Sequence, residues 1–368
     1  MRLRSLLILG LETFSLFLAA CFVATSCVDA QTPSLALLVL EKSDNTLAIV
    51  DPASLKIVGR VPAGPDPHEM ESSSDGRLAY ISNYGCSDSA LHTISVVDLT
   101  AQKALPPIDL GALHSPHGLV FAGGKLYFTA ETNKVVGRYD PATQSVDWLI
   151  GTGQDRTHMV VVSAALDRVF TSNVSSGTIS IIEQVSAPSP GPPPGATPPP
   201  GGPPPGSGPP GGIPRNTWRI TNVTAGRGPE GFDLSPDGRE IWAANAQDGT
   251  VTIIDVATKK ATQTLPIPVR GNRLKFTPDG ERVLVSGGPS GSSSANLVIL
   301  DVVTHKEVIR FDFGGGSAGI QITPDGSRAY VAVSGKNKVA VVDLKTLEID
   351  GYIATGKGPD GLAWAQRK

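Results

Sequence analysis

Three histidines recur at one position of a repeated sequence pattern. They lie in the short links that precede successive apolar runs. These links read Pro67-His68-Glu69, Pro116-His117-Gly118 and Thr157-His158-Met159. The remaining links carry, at the same position, Glu230, Asn272, Ala318 and Asp360. Imidazole and carboxylate groups suit divalent transition metals, and three protein ligands with one open position are typical of catalytic zinc. The pattern predicts a polar ring with a candidate metal site at His68, His117 and His158.

The same ring supports two other interpretations. Its imidazoles and carboxylates can perform general acid and base catalysis on a polar ligand, with Glu230 as ligand or base. Alternatively, they only hydrogen bond around a water-filled channel, because tight Pro-x-Gly links favour small polar residues in any case. The predicted ligand-binding residues are His68, Glu69, His117, His158, Glu230, Asn272, Arg273 and Asp360. Spacing does not decide among these readings, since metal ligands must converge to about 2.0–2.2 Å from the ion.

The elements that must position this ring form a repeat with a period in the low forties. A β-branched run in most units ends with an aspartate able to accept bonds from the following turn, at Asp51, Asp98, Asp140, Asp255, Asp301 and Asp343. The longest interval holds a diverged copy and an insertion. Four short strands per unit at this period predict an all-β fold, a seven-bladed β-propeller with four antiparallel strands per blade.

The order of the strands predicts how the propeller closes. The chain begins with a second strand at residues 35–41 and ends with a first strand at residues 358–364. The C-terminal strand should therefore complete the N-terminal blade and remove the exposed sheet edges. Asp-Gly pairs such as Asp75-Gly76 predict type I′ hairpins between first and second strands. Because strand direction alternates, the links between blades and the loops between second and third strands share one face, the top face.

The repeats resemble the YVTN-type β-propeller family of the lactonase-like superfamily. The resemblance is carried by SPDGREIWAANAQDGTVTIIDVATKK and TPDGSRAYVAVSGKNKVAVVDLKT, and it extends over residues 35–364 outside the insertion. It implies a secreted bacterial seven-bladed propeller without fixing a function. Relatives include surface-layer components, lactonase-like enzymes and subunits of amine dehydrogenases.

Three functions therefore stay open. The absence of a complete catalytic motif favours a ligand- or protein-binding scaffold that works through its top face. The alternatives are a metal-dependent hydrolase of lactonase type that uses the channel-mouth histidines, and a docking subunit of a periplasmic redox complex. The expected cofactor, if there is one, is a single divalent metal ion.

Two segments depart from the repeat. Residues 1–30 carry Arg2 and Arg4 before an apolar stretch and a Val-Asp-Ala cleavage site, which predicts a signal peptide and a secreted or periplasmic protein. The sequence Leu-Ala-Ala-Cys ending at Cys21 leaves a lipoprotein anchor open as the alternative. Residues 186–214 are rich in proline and glycine and predict a disordered loop that leaves the face opposite the top face.

Composition narrows the class of partner. The net charge of −3, with no basic block, argues against binding nucleic acid through its phosphates. Beyond the N-terminal segment, no apolar run is long enough to span a bilayer. The expected partners are a small molecule, an ion or a protein at the top face of a monomer.

Overall fold

The computed structural model describes residues 32–86, 89–186 and 216–367. The predicted signal peptide and the proline-rich segment between Ser186 and Asn216 lie outside these residues. Within them the strands form seven four-stranded antiparallel sheets. The prediction of a seven-bladed all-β propeller is confirmed.

The first three blades are built as follows. Blade 1 contains β1 (Leu35–Glu41), β2 (Thr46–Asp51), β3 (Lys56–Pro62) and the C-terminal β28 (Pro359–Gln366). Blade 2 contains β4 (Pro67–Ser72), β5 (Leu78–Cys86), β6 (Ser89–Asp98) and β7 (Lys103–Asp109). Blade 3 contains β8 (Pro116–Ala122), β9 (Lys125–Ala130), β10 (Val135–Asp140) and β11 (Ser145–Gly151).

The other four blades repeat this order. Blade 4 contains β12 (Thr157–Val162), β13 (Arg168–Asn173), β14 (Thr178–Ser186) and β15 (Asn216–Thr224). Blade 5 contains β16 (Pro229–Leu234), β17 (Glu240–Asn245), β18 (Thr250–Asp255) and β19 (Lys260–Pro266). Blade 6 contains β20 (Val269–Phe276), β21 (Arg282–Pro289), β22 (Leu297–Asp301) and β23 (Glu307–Phe311). Blade 7 contains β24 (Ile320–Ile322), β25 (Arg328–Val333), β26 (Lys338–Asp343) and β27 (Glu348–Ala354).

The two ends of the chain close the propeller as predicted. Strand β28 pairs antiparallel with β1, and Leu37 lies opposite Trp364. Blade 1 thus takes three strands from the start of the chain and one from its end. Two short 3-10 helices (Lys42–Asp44 and Ser334–Lys336) are the helices among the described residues, and none there is long and apolar enough to cross a membrane.

The apolar core lies between neighbouring blades. Strand β2 shows the principle, because successive side chains of a strand point to opposite faces. Leu47 and Ile49 pack toward blade 2, whereas Ala48 and Val50 pack toward blade 7. Both faces of a middle strand are therefore buried, so its sequence is a continuous apolar run rather than an alternating one. Each fully buried Val, Leu or Ile contributes about 1.5–3 kcal/mol.

The turns confirm one prediction and correct another. Asp255 accepts bonds from the backbone N–H and the hydroxyl of Thr258, both at 2.6 Å, which is the expected turn at the end of a third strand. The prediction of type I′ hairpins at the Asp-Gly pairs is wrong, since Gly76 has φ +66° but Asp75 is not left-handed. The Asp75 carboxylate instead accepts the Arg77 N–H at 3.1 Å, and the Gly76 N–H donates to the Ser73 carbonyl at 2.8 Å to close the turn.

A shared irregularity of the inner strands positions the polar ring. The pairing of β4, β8, β12 and β16 with their neighbours shifts register just after the first residue of each strand. A β-bulge of this kind re-aims side chains. The bulged positions hold His68, His117, His158 and Glu230. At the next position a Cβ on Gly118 would lie 2.6 Å from the carbonyl oxygen of His158, so glycine permits the close approach of blades 3 and 4.

Candidate metal-binding site at the channel mouth

The three predicted histidines form a row across blades 2, 3 and 4. The ring centroids of His68 and His117 are 5.1 Å apart, and those of His117 and His158 are 3.8 Å apart. His117 and His158 are each only 3% exposed, whereas His68 is half-buried. The bulges of three inner strands therefore bring these imidazoles into contact at the mouth of the central channel.

His158 lies between two carboxylates. Its Nδ1 contacts Oε1 of Glu131, and its Nε2 lies 2.8 Å from Oε2 of Glu230. The second contact is close but poorly aligned for a hydrogen bond, so it is an electrostatic contact. Burial disfavours the charged imidazole, but the two carboxylates outweigh burial and raise the pKa of His158.

His117 has the opposite character. Burial, followed by the positive charges of His158, His68 and Arg273, lowers the pKa of His117 well below its usual value. Its ring is therefore neutral, and its buried Nδ1 has no hydrogen-bond partner among the described residues. An unsatisfied buried polar atom costs about 1–3 kcal/mol, and native proteins rarely leave one without a ligand or water.

The donor atoms fit a metal ion. His117, Glu131 and His158 are all buried, and each offers one ligand atom within 4.8 Å of the other two. A tetrahedral zinc ion with bonds of about 2.0–2.1 Å holds its ligand atoms roughly 3.3–3.4 Å apart. The three donor atoms therefore lie close to the spacing that a zinc ion requires, whereas Glu230 contacts the other ring nitrogen of His158. His68 does not belong to this group.

Sequence reasoning missed Glu131. This residue directly follows β9, in the loop between the second and third strands of blade 3, so it reaches the mouth from the top face. Blade 2 has Tyr84 at the corresponding place, and the Tyr84 hydroxyl donates to Oε2 of Glu131 at 2.7 Å. A search of these loops for carboxylates, as well as of the links between blades, would have found it.

Arg156 balances the charge of the two carboxylates. Its guanidinium lies 3.5 Å from Glu131 and 3.6 Å from Glu230, and its side chain is 42% exposed. Burial alone would raise the pKa of Glu230, but His158 and Arg156 hold that pKa at about 2. The same partners lower the pKa of Glu131 despite its burial. Both carboxylates are therefore ionised, as metal ligands must be.

His68 and Asp360 belong to a separate group on blade 1 and blade 2. Nδ1 of His68 lies 3.3 Å from the Lys42 ammonium, and its Nε2 lies 3.3 Å from Asp66. Lys42 is also 3.7 Å from Asp360. Burial and the charge of Lys42 lower the pKa of His68. His68 and Asp360 therefore interact with Lys42 and Asp66 rather than with His158.

Glu69, Asn272 and Arg273 form a second buried polar group. Arg273 donates from Nε to Oε1 of Glu69 at 2.9 Å and from Nη2 to the same oxygen. Its Nη1 bonds the carbonyl and the side-chain oxygens of Asn272 at 2.9 and 3.1 Å. Because Glu69 is on blade 2 and Arg273 is on blade 6, the pair crosses the channel. Both residues also line a cavity of about 220 Å³, into which β4 continues with Glu71.

Comparisons with known proteins agree with the fold and leave function open. No sequence profile of a known family matches the chain, and no curated protein matches its sequence. A functionally unknown protein from Desulfotomaculum acetoxidans DSM 771 is similar in structure, with a TM-score of 0.67 at 12% identity over 90% of this chain and 99% of that one. Hydrazine synthase from Kuenenia stuttgartiensis has a TM-score of 0.61 at 17% identity over 81% and 89%. The chain is similar to these proteins in its propeller fold, and membership of the YVTN-type family stays a prediction.

Proposed function

We propose that this protein is an extracytoplasmic binding module that holds one divalent transition metal ion at its channel mouth. The observation that carries the proposal is the buried Nδ1 of His117, which has no hydrogen-bond partner among the described residues and lies beside His158 and Glu131. A β-propeller suits such a role, because its channel is a concave site built on rigid strands. The location rests on the predicted signal peptide.

The chemistry of the donors supports zinc or a similar ion. Two imidazoles and one carboxylate match the nitrogen and oxygen ligands that zinc accepts. Tyr84 and Arg156 hold the Glu131 carboxylate from the side away from His158. Hydrogen bonds of this kind orient metal ligands and account for part of metal affinity.

The charges of the same groups balance one another when no ion is bound. The two negative carboxylates then face protonated His158 and Arg156, so no net charge is buried. An ion must displace the proton of His158, because an imidazole binds metal only in its neutral form. Arg156 is free to move toward solvent, since its side chain is half exposed.

Elemental analysis of the protein purified without chelator tests the proposal. We expect about one zinc or similar ion per chain, lost in His117→Ala and in Glu131→Gln. His92→Ala is the matched control, because His92 is an exposed histidine paired with Asp109 at 2.9 Å and His114 at 5.5 Å between ring centroids, outside the triad. A protein that neither retains nor takes up zinc would refute the proposal.

Hydrolysis is a second candidate for the same site. Three protein ligands leave an open position at which a metal can activate water. This requires Glu230 to act as a base rather than as the fourth ligand, and its low pKa makes it a weak base. Turnover of a lactone by the zinc-loaded protein, lost in Glu230→Gln with the metal retained, would support hydrolysis. Loss of the metal in that variant would assign Glu230 as a ligand.

A further inference from the structure

A groove of about 480 Å³ runs between blades 2 and 3 near the face opposite the channel mouth. It lies beside the turns that join third and fourth strands, at the start of β7 and β11. Its rim carries Leu105 and Val146, each 37% exposed, and the prolines Pro106 and Pro107. Large apolar side chains and rings left open in this way mark an interaction surface when they are contiguous.

Two tyrosines form the polar part of the groove. Tyr80 and Tyr139 line it and are only 3% and 9% exposed, yet neither hydroxyl hydrogen bonds to another described residue. Gln144 is exposed on the rim, and its side-chain amide also has no partner among the described residues. The groove therefore offers hydrogen-bond donors above an apolar floor.

The proline-rich segment of this chain has the complementary chemistry. Residues 187–214 contain no charged side chain and three Pro-Pro-Pro runs, at 192–194, 198–200 and 203–205. Proline has no N–H, so such a run presents only carbonyl acceptors and apolar rings. Tyrosine-lined grooves bind proline-rich chains in this manner, and the stiff backbone loses little entropy on binding.

The segment is anchored in blade 4, which neighbours blade 3, and blade 3 forms one wall of the groove. It joins β14 to β15 in blade 4, at the position that the turn from β10 to β11 occupies in blade 3. Trp218, two residues after the described chain resumes, packs against Trp148 of β11 with ring centroids 5.1 Å apart. Val146 on the groove rim is two residues from Trp148. At about 3.1 Å per residue, the 29 residues 187–215 have a contour length of about 90 Å, which is ample to reach the groove and return.

We propose that the groove between blades 2 and 3 binds the proline-rich segment 187–215 of the same chain. The tyrosine hydroxyls and the Gln144 amide donate to its carbonyls, and its proline rings cover Leu105 and Val146. The bound segment lies on the face opposite the channel mouth. The inference is independent of the proposed metal site.

A peptide competition experiment tests this proposal. The probe is a synthetic peptide of residues 190–206, titrated calorimetrically into the intact chain and into a variant whose residues 187–215 are replaced by a short Gly-Ser linker. We expect the replaced variant to bind the peptide and the intact chain to bind it at least about tenfold more weakly. The tethered segment competes at an effective concentration in the millimolar range.

Tyr139→Phe in the replaced variant sharpens the test, since it removes one hydroxyl and keeps the ring. We expect it to weaken peptide binding several-fold, whereas Tyr352→Phe on the outer strand of blade 7, 45% exposed, should not change it. Failure of the replaced variant to bind the peptide would overturn the proposal. Equal binding of the peptide by the intact chain and the replaced variant would also overturn it. A dimer that forms only when the segment is present would overturn it as well, because the groove would then bind the segment of a second copy.

Discussion

Two buried polar groups face the channel, and they differ in whether their bonds are complete. In the pair of Glu69 and Arg273, the guanidinium donates to the carboxylate and to both oxygens of Asn272. In the group of His117, His158 and Glu131, one nitrogen of His117 has no partner among the described residues. Both groups are almost fully buried, so exposure does not separate them.

The difference separates a structural contact from a binding site. A complete ion pair gains nothing from a ligand, and this one connects blades 2 and 6 across the channel. An incomplete group retains a cost that a ligand can remove. Removal of one partner should therefore lower the stability of the protein at the complete pair, whereas added metal should raise it only through the incomplete group.

The largest expected effect is the loss of one partner of the complete pair. Arg273→Ala leaves the Glu69 carboxylate buried without its cation, which should reduce the free energy of unfolding by about 3–5 kcal/mol. Chemical denaturation measures this change. The double variant Glu69→Gln/Arg273→Met should recover much of it, because no buried charge is then unpaired. An Arg273→Ala protein as stable as the parent would show that the pair is solvated and not structural.

The next effect is stabilisation by metal, confined to the incomplete group. At a free zinc concentration 100 times Kd, the free energy of unfolding should rise by about 2.7 kcal/mol. Thermal denaturation with and without zinc should show this rise in the parent protein and in Asp360→Asn, whose carboxylate belongs to the separate group around Lys42. His117→Ala should show no rise. A shift of equal size in His117→Ala would place the ion elsewhere.

The third effect is a pH dependence that reverses when metal binds. The pKa of His158 is raised in the folded state, so its ion pairs stabilise the metal-free protein below the unfolded pKa of about 6.5, and this stability is lost as pH rises through the folded value. Zinc must displace that proton, so its affinity should fall about tenfold per pH unit below the folded pKa. Zinc titrations between pH 5 and 9 measure this slope. A flat affinity profile would mean that His158 is not a ligand.

The sequence repeat predicts that the link residues form a polar ring at the channel mouth. It does not predict which of these residues are in contact. The spacing of the aspartates and the position of the last strand predicted the seven blades, their closure and the placement of His68, His117 and His158 at the mouth. These follow from local pattern alone. Pairing within the ring depends on how far each side chain reaches, so the repeat does not predict that Arg273 joins Glu69 across the channel or that Asp360 joins Lys42 within blade 1. Glu131 lies in the loop between the second and third strands of blade 3, outside the links that carry the repeated position.

The smallest predicted effect concerns the support of Glu131. Tyr84→Phe removes a hydroxyl that donates to Oε2 of Glu131 at 2.7 Å and keeps the ring that packs 5.3 Å from His117. The metal-free protein should lose about 1 kcal/mol of stability, and zinc affinity should fall about tenfold because the carboxylate is no longer oriented. Isothermal titration with zinc at pH 7 measures the affinity, beside Tyr127→Phe as a control on β9. If stability falls and zinc affinity does not, Tyr84 supports the fold alone and Glu131 is oriented by Arg156 and His158.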